Sequence, residues 1–330
     1  MSDCDTAWRR PRTNYSLLPD EVHVWRASLD QPQGHFVRLK QILSPQERAR
    51  ANRFHFEADR KRCVLARGLL RLLIGHCLGT PADRLRFQYG EFGKPSLARG
   101  PYPNLQFNLS HSGDLVLIAL SYERAVGVDI ERMRIDVATD EIAARFFSAN
   151  ECRDLAKVPP EMRCAAFFEC WTRKEAYLKA RGDGLSLPLE QFDVSFLGQD
   201  KPRLIEARHD PTEVSRWTLH ALEGGGGYKA ALAVEGADWK LRCWDWPSVT
   251  IGAMSGDMFG SLRFKPSLPV GEHSDRQKYN YRLLLLRPTP WGAASRVPFN
   301  FVAFPRTQAR PEPIKIDRCC SGSAWKMKAA

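Results

Sequence analysis

The chain has 330 residues, 43% of them hydrophobic, and carries a formal net charge of +11. This length suits one large domain or two ordinary ones, and the hydrophobic content excludes a wholly disordered chain. A basic chain could bind nucleic acid, but residues 247–330 alone carry 13 Lys and Arg against 5 Asp and Glu, so most of the excess charge lies outside the body of the chain.

The cysteines and the apolar segments indicate the compartment. The nine cysteines include no C-x-x-C pair and are interpreted as reduced residues, most of them in the core. The stretch "MSDCDTAWRRPRTNYSLLPDE" lacks an apolar signal core, and the run "LLLL" at 283–286 is too short to cross a bilayer. We therefore expect a cytoplasmic protein without a membrane segment.

Residues 20–122 are predicted to form a first lobe. "EVHVWRASLD" alternates like a strand, and in "LSPQERARANRF" Ser44 and Glu47 fit a capping box with Pro45 at the first helical position. "RKRCVLARGLLRLLIGHCLG" predicts a long amphipathic helix that ends at Gly79. "LRFQYGEFGKPSL" and "LQFNLSHSGDLVLIALSYE" then predict two hairpins.

Residues 123–246 are predicted to form a second lobe with the same order of elements. "AVGVDIERM" reads as a strand, "FFSANECRDL" has a capping box at Ser148 and Glu151, and "CAAFFECWTRKEAYLKARGDG" predicts a second long helix that ends at Gly182 or Gly184. Strand-like pieces follow in "FDVSFLG", "WTLHAL" and "YKAALAVEG". We predict an α+β fold of two pseudo-symmetric lobes, each a long helix packed on a small, mainly antiparallel sheet.

The two ends of the chain differ from the lobes. Residues 1–19 are assigned to an N-terminal tail. Residues 247–330 hold nine of the 22 prolines and show no sustained helical or strand period. Such a segment buries too little apolar area to offset its ordering entropy, so we predict a basic, Pro-rich, disordered extension.

The stretch "GVDIERMR" places two carboxylates together. On a strand, Val128 and Ile130 face one way while Asp129 and Glu131 face the other. Neighbouring carboxylates suit a hard divalent cation, which prefers oxygen ligands. An exposed edge strand with solvated acids would give the same pattern.

The second long helix adds a third acid. In "WTRKEAYLKARGDG", Trp171, Lys174, Glu175 and Leu178 have i, i+3, i+4, i+7 spacing and share a face. A lysine and a glutamate on such a stripe either snorkel or serve a site, and a surface pair of Glu175 with Lys179 is the simpler alternative. A third carboxylate beside the strand pair would complete a magnesium site for substrate phosphates.

Five motifs, "FGKPSL", "FNLSHSGD", "GVDIE", "FFSANE" and "FFECWTRKEAYLKARGDGLSLPL", occur in this order. By these motifs and their order, the chain resembles the 4′-phosphopantetheinyl transferases of the surfactin-synthetase-activator type. The resemblance covers roughly residues 20–246. The resemblance implies magnesium-dependent transfer of the 4′-phosphopantetheine arm from coenzyme A to a serine of an apo acyl or peptidyl carrier protein. Adenosine 3′,5′-bisphosphate would be released.

The resemblance also implies roles for single residues. Asp129, Glu131 and Glu175 match the magnesium ligands of the family, and Glu175, Lys174 and Lys179 match its catalytic group, with Glu175 as candidate general base. The residues that it places around coenzyme A are Arg48, Arg50, Arg53, Arg62, Lys94, Pro95, Ser110, His111 and Lys179.

Two positions depart from the family pattern. Glu47 stands where the family has a lysine, and Cys63 aligns with a threonine of its phosphate pocket. These departures affect the expected 3′-phosphate contacts, which fall on the arginines of the first helices, and leave the expected metal site intact. Arg62 could replace the missing contact or be a surface helix residue.

Other functions remain open from the residues. A magnesium-dependent nucleotide phosphohydrolase would use the same carboxylates, and a non-catalytic carrier-binding homologue would keep the fold. A nucleic-acid-binding protein does not explain the acidic pair, and no zinc spacing or RNP-like motif occurs. We expect a monomer that acts on carrier proteins of fatty-acid, polyketide or nonribosomal-peptide biosynthesis, with no specific nucleic-acid partner.

Overall fold

The structure of the protein is a computed structural model that describes residues 5–11, 16–98, 104–135, 139–182, 184–197, 201–246, 315–318 and 325–328. These residues form the predicted α+β fold, with seven α-helices and fourteen strands. The helices are α1 (Gln33–Gln41), α2 (Pro45–Ala51), α3 (Glu57–Leu78), α4 (Thr139–Phe146), α5 (Ala149–Lys157), α6 (Pro160–Arg181) and α7 (Glu213–Arg216). The strands are β1 (Asp5–Arg9), β2 (Glu21–Ser28), β3 (Phe87–Tyr89), β4 (Pro95–Leu97), β5 (Leu105–Ser112), β6 (Leu115–Tyr122), β7 (Val126–Arg132), β8 (Phe192–Val194), β9 (Leu204–Ala207), β10 (Trp217–Leu222), β11 (Tyr228–Glu235), β12 (Lys240–Asp245), β13 (Lys315–Arg318) and β14 (Trp325–Lys328).

Two sheets carry the architecture. A five-stranded sheet has the order β1-β12-β2-β6-β5, and a three-stranded antiparallel sheet has the order β10-β11-β7. In the larger sheet β12 runs parallel to both of its neighbours, whereas β2, β6 and β5 pair antiparallel. The remaining strands form the antiparallel pairs β3-β4, β8-β9 and β13-β14.

The two long helices cover the outer faces of the two sheets. Apolar residues of α3 pack with one face of the five-stranded sheet, and those of α6 pack with one face of the three-stranded sheet. The inner faces meet in a third core, in which Val22 and Val24 of β2 lie with Val128 and Ile130 of β7. The molecule is therefore layered as helix, sheet, sheet and helix.

The local sequence signals are confirmed. Ser44 and Glu47 form a capping box at the start of α2, with Pro45 at the first helical position, and Ser148 with Glu151 does the same for α5. Gly79 ends α3 with φ +59°, and Gly182 ends α6 with φ +87°. Both glycines adopt the left-handed conformation that other residues disfavour.

The two lobes repeat one buried arrangement. In each lobe the capping-box glutamate of a short helix pairs with a buried cation of the long helix that follows. Glu47 accepts from Arg71 of α3 at 2.7 Å, and Glu151 accepts from Lys174 of α6 at 2.6 Å. The partners are 24 and 23 residues apart. Hence the pseudo-symmetry extends beyond the order of elements to equivalent ion pairs.

Some elements were not predicted. β1, which lies within the predicted tail 1–19, and α1 were not predicted. The predicted boundaries assign β12 to the second lobe, although it pairs within the sheet of the first. In the segment 247–330, predicted to be disordered, the structure describes the antiparallel pair β13-β14, and the rest of that segment lies outside the described residues. No helix of the described residues is long and apolar enough to span a membrane.

Gly127 sets the distance between β7 and α6. A Cβ atom at this position would lie 2.2 Å from the carbonyl oxygen of Ala176 and 2.3 Å from the amide nitrogen of Ala180. Both neighbours are backbone atoms of a helix, so neither can move aside as a flexible side chain would. Only glycine allows the strand to approach the helix this closely.

Replacing Gly127 with alanine should therefore separate β7 from α6. We expect Gly127→Ala to lower the free energy of unfolding by about 2 kcal/mol, in the range of overpacking a tight contact. Urea unfolding followed by tryptophan fluorescence measures this. Gly226→Ala is the matched control because a Cβ atom there meets nothing within 4 Å. Equal stabilities of the two variants would contradict the assigned role of Gly127.

Candidate active site

The two acids of β7 face α6 and are buried. Val128 and Ile130 lie in the core between the sheets, so the alternate residues of the strand face the helix. Asp129 is 2% exposed and Glu131 is 9% exposed. The alternative of an exposed edge strand with solvated acids is therefore excluded.

Lys179 of α6 joins the acid pair to the first lobe. Its Nζ donates to Oδ1 of Asp129, to Oγ of Ser110 at 2.9 Å and to the carbonyl oxygen of Val128 at 3.3 Å. The Ser110 hydroxyl in turn donates to Oδ1 of Asp129 at 2.8 Å. Three residues predicted for the site, one each from β5, β7 and α6, thus meet in one buried cluster.

Three alternate side chains in the second half of β5 accept hydrogen bonds from the backbone of β7. These side chains, called the polar seam below, are Asn108, Ser110 and Ser112. They accept from the N–H groups of Val128 (2.9 Å), Ile130 (3.4 Å) and Arg132 (3.1 Å). Because β5 and β7 are edge strands of different sheets, the polar seam joins the two lobes by side chains.

Asn108 and Ser112 of the polar seam were not predicted as site residues, although a signal for them was present. "FNLSHS" carries Asn108, Ser110 and Ser112 at a spacing of two, which on a strand puts all three on one face. Ser112 also donates to Oε2 of Glu131 at 2.7 Å. Ser110 and Ser112 therefore hold one acid each.

Glu175 brings the third carboxylate to the same side of α6 as Lys179. It lies one turn before Lys179 and is 2% exposed. Within the described residues no group of three or more His, Cys, Asp or Glu side chains is arranged to hold a metal ion. The three predicted carboxylates lie on β7 and α6, and in the part of the chain that the structure describes they do not form a closed metal cage.

The donor chemistry nevertheless fits magnesium. Oδ2 of Asp129 is buried and accepts no hydrogen bond from the part of the chain that the structure describes. A buried carboxylate oxygen of this kind is a costly group unless a ligand completes it. Mg²⁺ commonly takes one or two protein carboxylates and completes its shell with water and substrate phosphates. Asp129 and its neighbours could hold such an ion.

Lys174 points away from this cluster. Adjacent residues of a helix are about 100° apart, so Lys174 and Glu175 lie at opposite edges of the stripe that they share with Trp171 and Leu178, and they can meet different neighbours. The ammonium group donates to both carboxylate oxygens of Glu151, at 2.7 and 2.6 Å, and to the carbonyl oxygen of Phe192. These bonds use all three ammonium protons, and the side chain is 0% exposed. In its position Lys174 resembles Arg71 of the first lobe.

Lys94 and Pro95 lie at the hairpin β3-β4, next to the end of α6. Lys94 Nζ donates to the carbonyl oxygen of Ala180 at 2.7 Å and to that of Val126 at 3.4 Å. Pro95 is buried at the start of β4. A lysine beside the last carbonyl groups of a helix satisfies their unpaired acceptors, so this contact fastens the first lobe to the end of α6.

The other predicted coenzyme contacts lie on the first lobe. His111 is buried on the face of β5 opposite Ser110. Arg62 of α3 donates to Asp114, in the turn after β5, at 2.9 Å. This bond sets the start of α3 against the end of β5.

The three arginines predicted for the 3′-phosphate lie on α2 or next to it, in the first lobe. Arg48 and Arg50 are on α2, and Arg53 is in the turn behind it. Arg48 donates to the carbonyl oxygen of Leu43, in the turn before α2. The structure thus places these arginines on α2 and its flanks rather than on β5, β7 or α6.

Asp193 of β8 holds the start of α5 in position. Burial raises its pKa, but hydrogen bonds from Arg208, Ser148 and Asn150 outweigh burial and set the pKa at about 2. Arg208 binds both carboxylate oxygens, at 3.1 and 2.8 Å. Because Ser148 begins α5, this network positions the helix that carries Glu151.

Two family models match the chain, and their limits follow the two lobes. A model described as the 4′-phosphopantetheinyl transferase superfamily matches residues 125–233. A model described as the N-terminal part of 4′-phosphopantetheinyl transferase matches residues 24–123. The boundary between the matches falls at the start of β7, where the second lobe begins.

Curated proteins of the same description are similar over most of their length. The chain is 39% identical over 238 residues to the 4′-phosphopantetheinyl transferase HetI of Nostoc sp., covering 72% of this chain and 97% of that protein. It is 33% identical over 219 residues to the 4′-phosphopantetheinyl transferase Sfp of Bacillus subtilis, covering 66% and 94%. It is also 33% identical over 210 residues to the L-aminoadipate-semialdehyde dehydrogenase-phosphopantetheinyl transferase of Mus musculus, covering 59% and 68%.

Removing the Lys174 ammonium should leave the Glu151 carboxylate buried without its counter-charge. We expect Lys174→Met to lower the free energy of unfolding by about 3–5 kcal/mol, as measured by urea unfolding. Lys157→Met is the matched control, since Lys157 pairs with Asp154 on the surface and its side chain is 71% exposed. We expect the control to change stability by less than about 1 kcal/mol. A Lys174→Met protein as stable as the control would refute the structural role of the ion pair.

Ionised Asp193 should stabilise the fold above pH about 4, and this contribution should disappear as the pH falls toward 2. The sign follows because the pKa in the folded chain lies below the ordinary value of 3.8. We expect Asp193→Asn to be less stable than the unmodified protein at pH 7 and the difference to shrink at pH 3, in urea unfolding at both values. The exposed Asp83→Asn serves as control. A difference that is equal at both pH values would contradict the low pKa.

Proposed function

The chain belongs to the 4′-phosphopantetheinyl transferase superfamily and is an enzyme of that family, and on this premise we propose its reaction. The enzyme transfers the 4′-phosphopantetheine arm of coenzyme A to a serine of an apo acyl or peptidyl carrier protein. The serine Oγ forms a bond to the β-phosphorus of coenzyme A. The bond from that phosphorus to the bridging oxygen breaks, and adenosine 3′,5′-bisphosphate leaves.

The observation that supports this proposal best is the buried cluster of Ser110, Asp129 and Lys179. It joins carboxylate, ammonium and hydroxyl groups at the contact between two lobes. A pyrophosphate needs positive charge and hydrogen-bond donors, and a metal ion on it needs carboxylate oxygens. The cluster supplies both kinds of group in one place.

Positioning and charge neutralisation supply most of the catalysis in phosphoryl-group transfer. Glu175 accepts the proton of the attacking serine, directly or through one water molecule, because a serine hydroxyl is a weak nucleophile near neutral pH. The positive charge of Lys179 stabilises the negative charge that develops on the bridging oxygen, and Ser110 holds the Asp129 carboxylate by donating its proton to Oδ1. Burial of these groups strengthens their electrostatic effect on the substrate.

Asp129, Glu131 and Glu175 would hold a magnesium ion. The ion, when bound, supplies neutralisation of the negative charge on the pyrophosphate. Oδ2 of Asp129 supports this assignment, because it is buried and no described group donates to it.

The remaining predicted residues are proposed to hold the rest of coenzyme A. Lys94 and Pro95 lie on the adenine and ribose side, and His111 on the pyrophosphate side. The 3′-phosphate is assigned to the basic residues at the start of the first lobe, which are Arg48, Arg50, Arg53 and Arg62. We propose a monomeric, cytoplasmic enzyme that activates carrier proteins of fatty-acid, polyketide or nonribosomal-peptide biosynthesis, consistent with the family resemblance.

Intact-protein mass spectrometry of an apo carrier protein incubated with this enzyme, coenzyme A and Mg²⁺ tests the proposal. We expect the carrier to gain one phosphopantetheine group, and we expect no gain without the metal. Glu175→Gln should slow the transfer at least about 100-fold, the lower end for loss of a general base. Asp129→Ala should slow it about 100-fold or more, since loss of a residue that only supports a metal ligand already costs about 10-fold to 100-fold.

The matched control is Glu161→Gln, the same change at an exposed position on the same helix. It should transfer at the rate of the unmodified enzyme. Failure to modify any of several acyl and peptidyl carrier proteins, with the enzyme shown to be folded, would overturn the proposal. Release of adenosine 3′,5′-bisphosphate without carrier modification would instead favour a nucleotide phosphohydrolase.

A further inference from the structure

Ser112 has two bonding partners, and both belong to the second lobe. Its Oγ accepts the N–H of Arg132 at 3.1 Å and donates its proton to Oε2 of Glu131 at 2.7 Å. A hydroxyl has a single proton to donate, so this proton is committed to the carboxylate. Ser112 is 7% exposed, which keeps water from competing strongly for the bond.

Contacts of the two residues that follow Ser112 fix its position. Gly113 follows it with φ +53°, and a Cβ atom at Gly113 would lie 2.5 Å from Oη of Tyr228. The N–H of Asp114 also lies 3.3 Å from this hydroxyl and donates to it. The end of β5 is therefore pressed against β11, and the Ser112 hydroxyl has little freedom to follow Glu131 if that side chain moves.

A glutamate side chain has considerable rotamer freedom, and a ligand oxygen must be confined before it can bind a metal tightly. Hydrogen bonds to a ligating carboxylate commonly provide this confinement. Resting on the proposed function, we infer that Ser112 is a positioning residue that holds Glu131 in place to bind the magnesium ion of the reaction. The first lobe thereby orients a metal ligand that belongs to the second lobe.

Asn108 provides the comparison that separates this role from simple joining of the lobes. It lies on the same face of the same strand and accepts the N–H of Val128 at 2.9 Å. Its oxygen caps an edge amide of β7 as Ser112 does. The hydrogen bond from Ser112 to a carboxylate is the difference between the two positions.

The experiment measures magnesium dependence without turnover. Binding of coenzyme A is followed by titration calorimetry at a series of MgCl₂ concentrations, for the unmodified enzyme and for Ser112→Ala, Ser112→Cys, Ser112→Thr and Asn108→Ala. The magnesium concentration that gives half of the gain in coenzyme A affinity is the readout. Urea unfolding of each protein gives its stability separately.

We expect Ser112→Ala to raise the half-saturating magnesium concentration about 10-fold to 100-fold, the usual effect of losing a hydrogen bond to a metal ligand. Ser112→Thr keeps the hydroxyl and should restore the value toward that of the unmodified enzyme. Asn108→Ala should lower stability but leave the half-saturating magnesium concentration within about 3-fold of that of the unmodified enzyme. This change is well below the one expected for Ser112→Ala. Ser112→Cys keeps nearly the same volume with a weak donor, and it replaces Ser112→Ala if the alanine protein does not fold.

Two results would overturn the inference. If Ser112→Ala, or its cysteine replacement, lowers stability as Asn108→Ala does and leaves the magnesium requirement unchanged, Ser112 serves only to join the lobes. If the unmodified enzyme binds coenzyme A without any magnesium effect and does not modify a carrier protein, the proposed function fails and this inference fails with it. The carrier-modification assay distinguishes the two cases.

Discussion

The contact between two edge strands is the constraint on which the rest of the structure depends. The exposed edge of a sheet carries unpaired N–H groups, and burying them without partners is costly. Between β5 and β7 the partners are side chains, because Asn108, Ser110 and Ser112 reach the amides that a neighbouring strand would otherwise bind. Both strands have a period of two, so three side chains of one match three amides of the other. This match fixes how the lobes meet and therefore where Asp129 and Glu131 lie.

A second set of interactions holds the elements behind that contact. The buried pairs Glu47–Arg71 and Glu151–Lys174 each tie a short capped helix to a long one. Buried ion pairs add little net stability over apolar contacts, but removing one partner is costly, so they fix one arrangement of the helices. In the second lobe this arrangement sets the rotation of α6. With Lys174 anchored to the outer side, Glu175 and Lys179 are turned toward β7.

Features of the fold that depend on local sequence signals were predictable. The capping boxes at Ser44 and Ser148, the glycine ends of the long helices and the alternation in "GVDIE" each depend on residues a few positions apart, so all were predictable. The neighbour toward which Lys174 points was not predictable. Spacing along a helix shows which residues share a face, but it does not show which element that face meets. Its partner Glu151 lies 23 residues away and was assigned only to capping. The parallel pairing of β12 is likewise a long-range contact without a local signature.

The position of β12 limits where the chain can be cut into fragments. The chain completes the second lobe and then returns to insert β12 between β1 and β2, in the interior of the first-lobe sheet. A fragment cut at the lobe boundary would lack this strand and would expose the hydrogen-bonding edge of β2, which invites aggregation. The match between β2 and β12 must therefore be preserved when the two halves are expressed separately. The same holds when the N-terminal half of one family member is joined to the C-terminal half of another. The two lobes are related as a repeat, but the sheet of the first lobe is complete only when the strand that follows the second lobe is present.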